Sequence, residues 1–340
     1  MNRPPVKFGV ISYGHFFKTN FIVAFRQCPE VDIIGVYNRG EERRLQAEQD
    51  GFFATSDLDE LLAMPGLEAV AIGSSNNAHK EHALAAIRAG KHVFCEKPLA
   101  LSLSDAEEMA DAAEKSGLIT HVNHPAPYSE QFQIIKKILA DNLGRPFHCW
   151  LRYSRAFGLW NQGARHTAVA HPKESGGWTF HHHCHGLDAV CVLLGTNDVE
   201  RVFHMELKSC PEAPSEEIIN SFIQFRNGTT AILSDTTSIG SFLDLGIQAE
   251  KGDLRVLDGQ ATLVTTGPFD PSGRPGNLSS RITSMPVPEQ EKEIPVVAKA
   301  FADAVRGGKN DLLSFRFICN QYRILDAMKK SAAIGDVVRL

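Results

Sequence analysis

Short runs rich in Val, Ile and Phe recur through the first third of the chain, each followed by a stretch with helical spacing of apolar positions. Val6-Lys-Phe-Gly-Val-Ile11 and Val31-Asp-Ile-Ile-Gly-Val-Tyr37 read as strands, with a helix running to about Gln27 between them and a charged helix from Glu41 to Gln49 after them. Leu67–Ile72, Lys91–Cys95 and Leu118–Asn123 continue the series, separated by helices over about Glu81–Ala89 and Ser104–Ser116. Strands that alternate with helices and lack a polar parity are buried on both faces. The pattern predicts a doubly wound parallel sheet of the dinucleotide-binding kind over residues 1–123.

From Phe147 the period changes to two. Phe147–Ser154, Val199–Glu206, Ile218–Phe225, Thr229–Thr236, Leu245–Glu250, Asp253–Leu257 and Gln260–Thr265 alternate apolar with polar residues, and turns such as Arg226-Asn-Gly228 and Lys251-Gly252 join neighbours. Residues 124–340 are therefore expected to form a second α/β domain around an open, mostly antiparallel sheet, closed by helices over about Val296–Arg306 and Phe315–Ala332. One face of that sheet is left for a subunit contact.

Composition narrows the function. A chain of 340 residues with 43% hydrophobic and 22% charged residues has the size and balance of a two-domain globular protein. A net charge of −5 and a pI near 6.3 argue against nucleic acid as a partner. No apolar run reaches the length of a membrane span, and Met1-Asn-Arg-Pro-Pro runs into the first strand without the apolar segment of a secretory signal. Seven scattered cysteines without a Cys-x-x-Cys pair fit reduced thiols in the cytoplasm.

Candidate chemistry clusters where the strands end, which is where ligands bind in open α/β sheets. Pro98 stops the strand Lys91–Cys95 and sets Glu96 and Lys97 at its carboxyl end, where a lysine can polarise a substrate oxygen or take part in proton transfer. After the first strand, Ser12, Gly14 and Phe17 stand in the three positions of a glycine fingerprint, with His15 and Phe16 between them. Gly14 keeps the position that lets backbone approach a pyrophosphate. The second strand ends in Asn38-Arg39 rather than in an acid. Loss of the carboxylate and gain of a guanidinium favour NADP, with NAD as the alternative. Ser74, Ser75, Asn76 and His79 follow the next strand, as ribose contacts or as an N-cap cluster.

Ser74-Ser-Asn76-x-x-His79, together with Ala-Gly-Lys-His-Val-x-x-Glu96-Lys97-Pro98-Leu-Ala and a helical return near the C-terminus, resembles the Gfo/Idh/MocA family of NAD(P)-dependent oxidoreductases over essentially the whole chain. The resemblance implies a dehydrogenase or reductase acting on sugars, inositols, glycosides or cyclic lactols, and a homodimer or homotetramer built through the C-terminal sheet. It makes Lys97 a catalytic and substrate-binding residue.

In Ser175-Gly-Gly-Trp-Thr-Phe-His181-His-His-Cys-His185-Gly-Leu-Asp188 the spacing places His181, His185 and Asp188 on one helical face, with His182 and His183 turned away. The resemblance implies that His185 is the catalytic histidine; its usual aspartate one turn earlier is replaced here by His181. His185 is then the general base on the substrate hydroxyl, Lys97 orients the same oxygen, and Asp188 or His181 holds the imidazole tautomer. Arg152, Tyr153, His166 and His182 are candidate substrate contacts. His-x-x-x-His could also chelate zinc with Asp188, His166 or His171, but the redox cofactor already supplies the chemistry, so no metal is expected. Two alternative functions are a glycoside-cleaving relative that reoxidises its cofactor each turnover and a non-catalytic dinucleotide sensor. Retention of both Lys97 and His185 argues against the sensor. The arginine of the family's Asn-x-Arg-Phe segment is missing from Asn123-His-Pro-Ala-Pro127-Tyr.

Overall fold

The computed structural model describes residues 3–124, 126–156, 158–163, 176–237, 242–265, 281–287 and 294–340. They form two compact units, Met1–Tyr128 with Lys292–Tyr322, and Ser129–Glu291 with Arg323–Leu340.

The first unit is built on six parallel strands: β1 (Val6–Ile11), β2 (Val31–Tyr37), β3 (Phe53–Thr55), β4 (Ala69–Ile72), β5 (His92–Cys95) and β6 (Thr120–Val122). Their order, β3-β2-β1-β4-β5-β6, reverses direction at β1, so the crevice between the ends of β1 and β4 is the switch point of the sheet. The short strand Phe53–Thr55 and the helix Leu58–Leu62, capped by the Asp57 carboxylate, stand in a stretch the hydrophobic pattern left open.

Aromatic packing ties the C-terminal return to this sheet. Phe301 meets Phe8 and Phe94, each with ring centroids 5.6 Å apart, in a buried cluster that also holds Phe25, Val297 and Ala298. Residues 292–322 are therefore part of the first unit by packing, although they lie within the stretch 124–340 that the strand pattern assigns to the second domain.

The second unit carries nine strands among its described residues: β7 (Pro146–Ser154), β8 (Val199–Leu207), β9 (Ile218–Phe225), β10 (Thr230–Thr236), β11 (Phe242–Ala249), β12 (Gly252–Leu257), β13 (Gln260–Thr265), β14 (Arg281–Pro286) and β15 (Val338–Arg339). The order is β14-β13-β12-β11-β7-β10-β9-β8-β15, antiparallel throughout except where β7 runs parallel to β10. That central insertion separates β10 from β11, neighbours along the sequence.

Alternation divides the sheet into two faces. Leu151, Ile219, Ile223, Leu233, Leu245 and Ile247 are buried, and the helix Cys184–Leu194 lies in the same unit with most of its side chains buried. On the other face Phe147, Met205, Phe222 and Ile282 are exposed. The amphipathic helix Glu130–Ile138, capped by the Ser129 hydroxyl, precedes β7 and buries Phe132, Ile135 and Ile138.

Candidate functional site

In the first unit the candidate residues line the carboxyl ends of β1, β2, β4 and β5. Backbone hydrogen bonds stitch these ends together: Ser12 donates to the Tyr37 carbonyl at 2.8 Å, Gly73 to Ile11 at 3.0 Å and Glu96 to Ile72 at 2.9 Å.

The β1 turn is shaped for close approach. Ser12 holds a φ of +91°, and a Cβ built on Gly14 would meet nothing nearer than the Ser12 hydroxyl at 3.9 Å. The helical segments His15–Phe17, Lys18–Ile22 and Val23–Arg26 come next, and their first amides are the kind of donor set that accepts a phosphate. His15 is exposed, and the side chain of Phe16 lies outside the described residues. A Cβ on Gly73, at the end of β4, would fall 2.0 Å from the Phe17 ring. Thus the close helix–strand contact usually provided by the third glycine of the fingerprint is made by a phenylalanine seated on a glycine of the neighbouring strand end.

Asn38 is already engaged at both ends of its amide. Its Oδ1 accepts from the Tyr13 amide at 3.0 Å and its Nδ2 donates to the Gly40 carbonyl at 3.2 Å. Arg44 donates to the carbonyls of Asn38 and Arg39 and further fixes the turn. Arg39 is exposed, and its guanidinium has no hydrogen-bond partner among the described residues.

Two of the expected cofactor contacts make hydrogen bonds within the protein. His79 is fully buried, one ring nitrogen 2.7 Å from the Pro98 carbonyl and the other 2.9 Å from the Ser74 carbonyl, so it braces the β4 loop against the loop bearing Lys97. Burial pushes its pKa down while the two carbonyls push it back up. Glu96 is buried and accepts from the Asn123 amide at 2.7 Å and from the Lys97 backbone at 3.2 Å. Desolvation raises its pKa against the opposing charge of Lys97. Ser74 shares a 2.9 Å hydrogen bond with His82, Ser75 is exposed, and Asn76 and Lys97 are half-buried. These loops, with an open glycine turn and no acid at the end of β2, fit a dinucleotide.

In the second unit, Gly176 and Gly177 have φ near +80° and open a helical turn that is π-wound over Thr179–His183 before the α-helix Cys184–Leu194. The wider turn rotates the α-helix relative to the histidines ahead of it. His181 and His185 are both half-buried, as one shared face requires, but Asp188 is wholly buried with Leu187, Ala189 and Val190 and does not share their exposure.

His182 and His183 point into the protein. The Arg155 guanidinium donates to His182 Nε2 at 3.0 Å, His182 Nδ1 lies 3.1 Å from Asp235 Oδ2, and the ring stacks on Trp178 at 4.7 Å. Both ring nitrogens of His182 are thus engaged within the protein. Arg152 and Tyr153 belong to β7, not to a loop, and alternation sends them to opposite faces. Arg152 is exposed, 3.8 Å from Asp244, whereas Tyr153 is buried, its hydroxyl donating to the His182 carbonyl at 3.2 Å and its ring filling the space beside Gly186. His166 and His171 lie outside the described residues.

Sequence spacing did not single out Asp235. Its signal was parity: in β10 it shares the buried side with Ala231 and Leu233, where an acid demands partners.

Comparison with known proteins agrees with this arrangement. Residues 6–124 match the model of the GFO_IDH_MocA oxidoreductase family with its NAD-binding Rossmann fold, and residues 135–340 match that family's C-terminal alpha/beta domain. Among curated relatives, a 1,5-anhydro-D-fructose reductase from Ensifer adhaerens is 30% identical over 183 residues, 54% of this chain and 54% of the relative. A scyllo-inositol 2-dehydrogenase (NADP(+)) from Bacillus subtilis is 32% identical over 136 residues, 39% of this chain and 41% of the relative. The chain thus spans about half the length of the curated relatives it matches. The fold is shared with a levoglucosan dehydrogenase solved with NADH and L-sorbose, at a TM-score of 0.82 and 20% identity over 99% of each chain. The chain belongs to the GFO_IDH_MocA oxidoreductase family, with a nicotinamide-nucleotide fold followed by that family's α/β domain.

Proposed function

We propose that this protein is an NAD(P)-dependent dehydrogenase or reductase that interconverts a hydroxyl and a carbonyl on a sugar, inositol or cyclic lactol. The observation that carries this reading is the half-buried Lys97 at the carboxyl end of β5, in the same row of strand ends as the open Gly14 turn. The nucleotide supplies hydride transfer when bound. The chain's own part is to bind, orient and move a proton. Lys97 polarises the substrate oxygen and His185 takes or returns the hydroxyl proton. The named substrates of the relatives, an anhydro sugar and an inositol, support a polyhydroxylated ring.

NADP is the preferred nucleotide in this reading. Asn38 lacks the carboxylate that would hold both ribose hydroxyls, and the exposed guanidinium of Arg39 suits a 2′-phosphate. His181, next to His185 on the same half-exposed side, is the group proposed to hold the catalytic imidazole, in place of Asp188. A second copy of the chain is proposed to cover the apolar sheet face bearing Phe147, Phe222 and Ile282, and the unpaired cysteines fit a cytoplasmic setting. A screen of sugars, inositols and lactols by nicotinamide absorbance, with both nucleotides, tests the function. Substrate-dependent absorbance change with a ring polyol is expected; its absence across the panel would overturn the reading.

A further inference from the structure

Behind the histidine turn, polar groups of the second unit form two hydrogen-bonded branches that approach each other at Asp235, and their proton positions follow from donor and acceptor chemistry. Arginine can only donate, so the 3.0 Å contact from Arg155 leaves His182 Nε2 without a proton. The single ring proton then sits on Nδ1 and is given to Asp235. His185 packs edge-on against this fixed ring, with centroids 5.7 Å apart.

The second branch starts from Glu206. That carboxylate receives Lys329 at 2.7 and 2.8 Å and Thr179 at 2.6 Å. Burial alone would raise its pKa, but the bonds from His204, Lys329 and Thr179 bring it down to about 2. As an acceptor only, Glu206 takes the Nε2 proton of His204 at 3.2 Å. His204 Nδ1 must then accept from the Ser221 hydroxyl at 2.8 Å, and the Ser221 oxygen must accept from His183 Nε2 at 2.8 Å.

This order strips the proton from His183 Nδ1, which faces Asp235 Oδ2 at 3.8 Å. Neither that nitrogen nor Asp235 Oδ1 has a hydrogen-bond partner among the described residues, and both side chains are 0% exposed. The other groups around Asp235 are the Tyr153 hydroxyl and the His182 imidazole; Glu216, from the Ser215 loop, faces Lys329 at the far end.

We propose that Asp235 is a positioning residue for the histidine turn, acting through His182, and that the order of donors and acceptors fixes the tautomers of His182, His183 and His204. The positioning role rests on the oxidoreductase reading above; the proton pattern does not.

The test is nitrogen-15 NMR of the full-length protein labelled at histidine, compared with Asp235→Asn and Ser221→Ala. Near neutral pH the wild type should show His182 protonated on Nδ1, and His183 and His204 on Nε2. In Asp235→Asn the carboxylate that receives the His182 Nδ1 proton is lost, so the His182 signals should move while His183 and His204 stay protonated on Nε2. Ser221→Ala should uncouple His183 from His204. In turnover, Asp235→Asn should lower kcat about tenfold to a hundredfold with KM for the nucleotide unchanged and a moved acid limb. His183 protonated on Nδ1 at neutral pH, or unaltered His182 signals in Asp235→Asn, overturns the chain. Wild-type kcat and pH profile in that variant overturn the positioning role. The spectra report on the chain whether or not the assay finds a substrate, so failure of the functional reading is told apart from failure of this one.

Discussion

The two units treat buried polar groups differently. In the first they are separate ties: Asn38 with Tyr13, Glu96 with Asn123, and His79 between two carbonyls. Each joins two neighbouring loops at the ends of parallel strands. In the second unit they share partners, so that Asp235, His183, Ser221, His204, Glu206 and Lys329 form a single connected set. Ties fix loops one by one, whereas a shared chain makes the state of each member depend on the rest.

The largest effect expected from this contrast concerns a histidine in the first unit that has no tie at all. His121 is wholly buried between Phe94 and Tyr128, and its two ring nitrogens find no hydrogen-bond partner among the described residues. Desolvation pushes its pKa from 6.5 down to about 3. The unfolded chain binds a proton below 6.5 that the folded chain refuses until about 3, so stability is intact above 6.5 and declines as pH falls through that window. The loss approaches about 1.4 kcal/mol per pH unit as an upper bound. Denaturant unfolding of His121→Leu against wild type should show this slope removed; parallel pH curves would show that His121 is not its source.

Glu206→Ala comes next, at about 3 kcal/mol, toward the low end for a broken buried pair because Lys329 keeps Glu216 and part of its solvation. Combined with Ser221→Ala it should be clearly non-additive, whereas Asn123→Ala with Asn38→Ala should add. Additive behaviour at Glu206 and Ser221 would erase the distinction between the units. Gly73→Ala drives a methyl into the Phe17 ring and should cost about 1–3 kcal/mol, and Phe17→Leu in the same chain should recover part of it. Thermal unfolding of both variants reads this directly. Arg39→Ala is the smallest effect, about tenfold weaker NADP binding with NAD little changed. Equal losses for both nucleotides in a fluorescence titration would remove Arg39 from specificity.

The contrast also explains what the sequence could reveal. The strand ends of the first unit were legible because local signals carry them: Pro98 stops a strand, and Gly14 opens a turn. The pairing of Phe17 with Gly73 was not, since it joins two elements far apart in the chain, although a glycine directly after Ala69–Ile72 was its trace. In the second unit, alternation located the strands but could not place β7 between β10 and β11, because strand order is a long-range property. Helical spacing placed His181, His185 and Asp188 on one face; Asp188 is nevertheless buried with Leu187, Ala189 and Val190, an environment that spacing alone does not foresee. The helix Glu130–Ile138 was readable, from Ser129 as cap and from Phe132, Ile135 and Ile138, yet it fell between two clearer patterns.

Lys97 and His185 are the proposed proton-handling groups of this nicotinamide oxidoreductase. The most direct test is steady-state turnover of a substrate found in the polyol screen, by wild type, Lys97→Ala and His185→Ala, alongside titration of each with nucleotide. Turnover should fall by about a hundredfold or more in each variant while nucleotide affinity stays close to wild type. Wild-type turnover in either variant would contradict the role assigned to that residue.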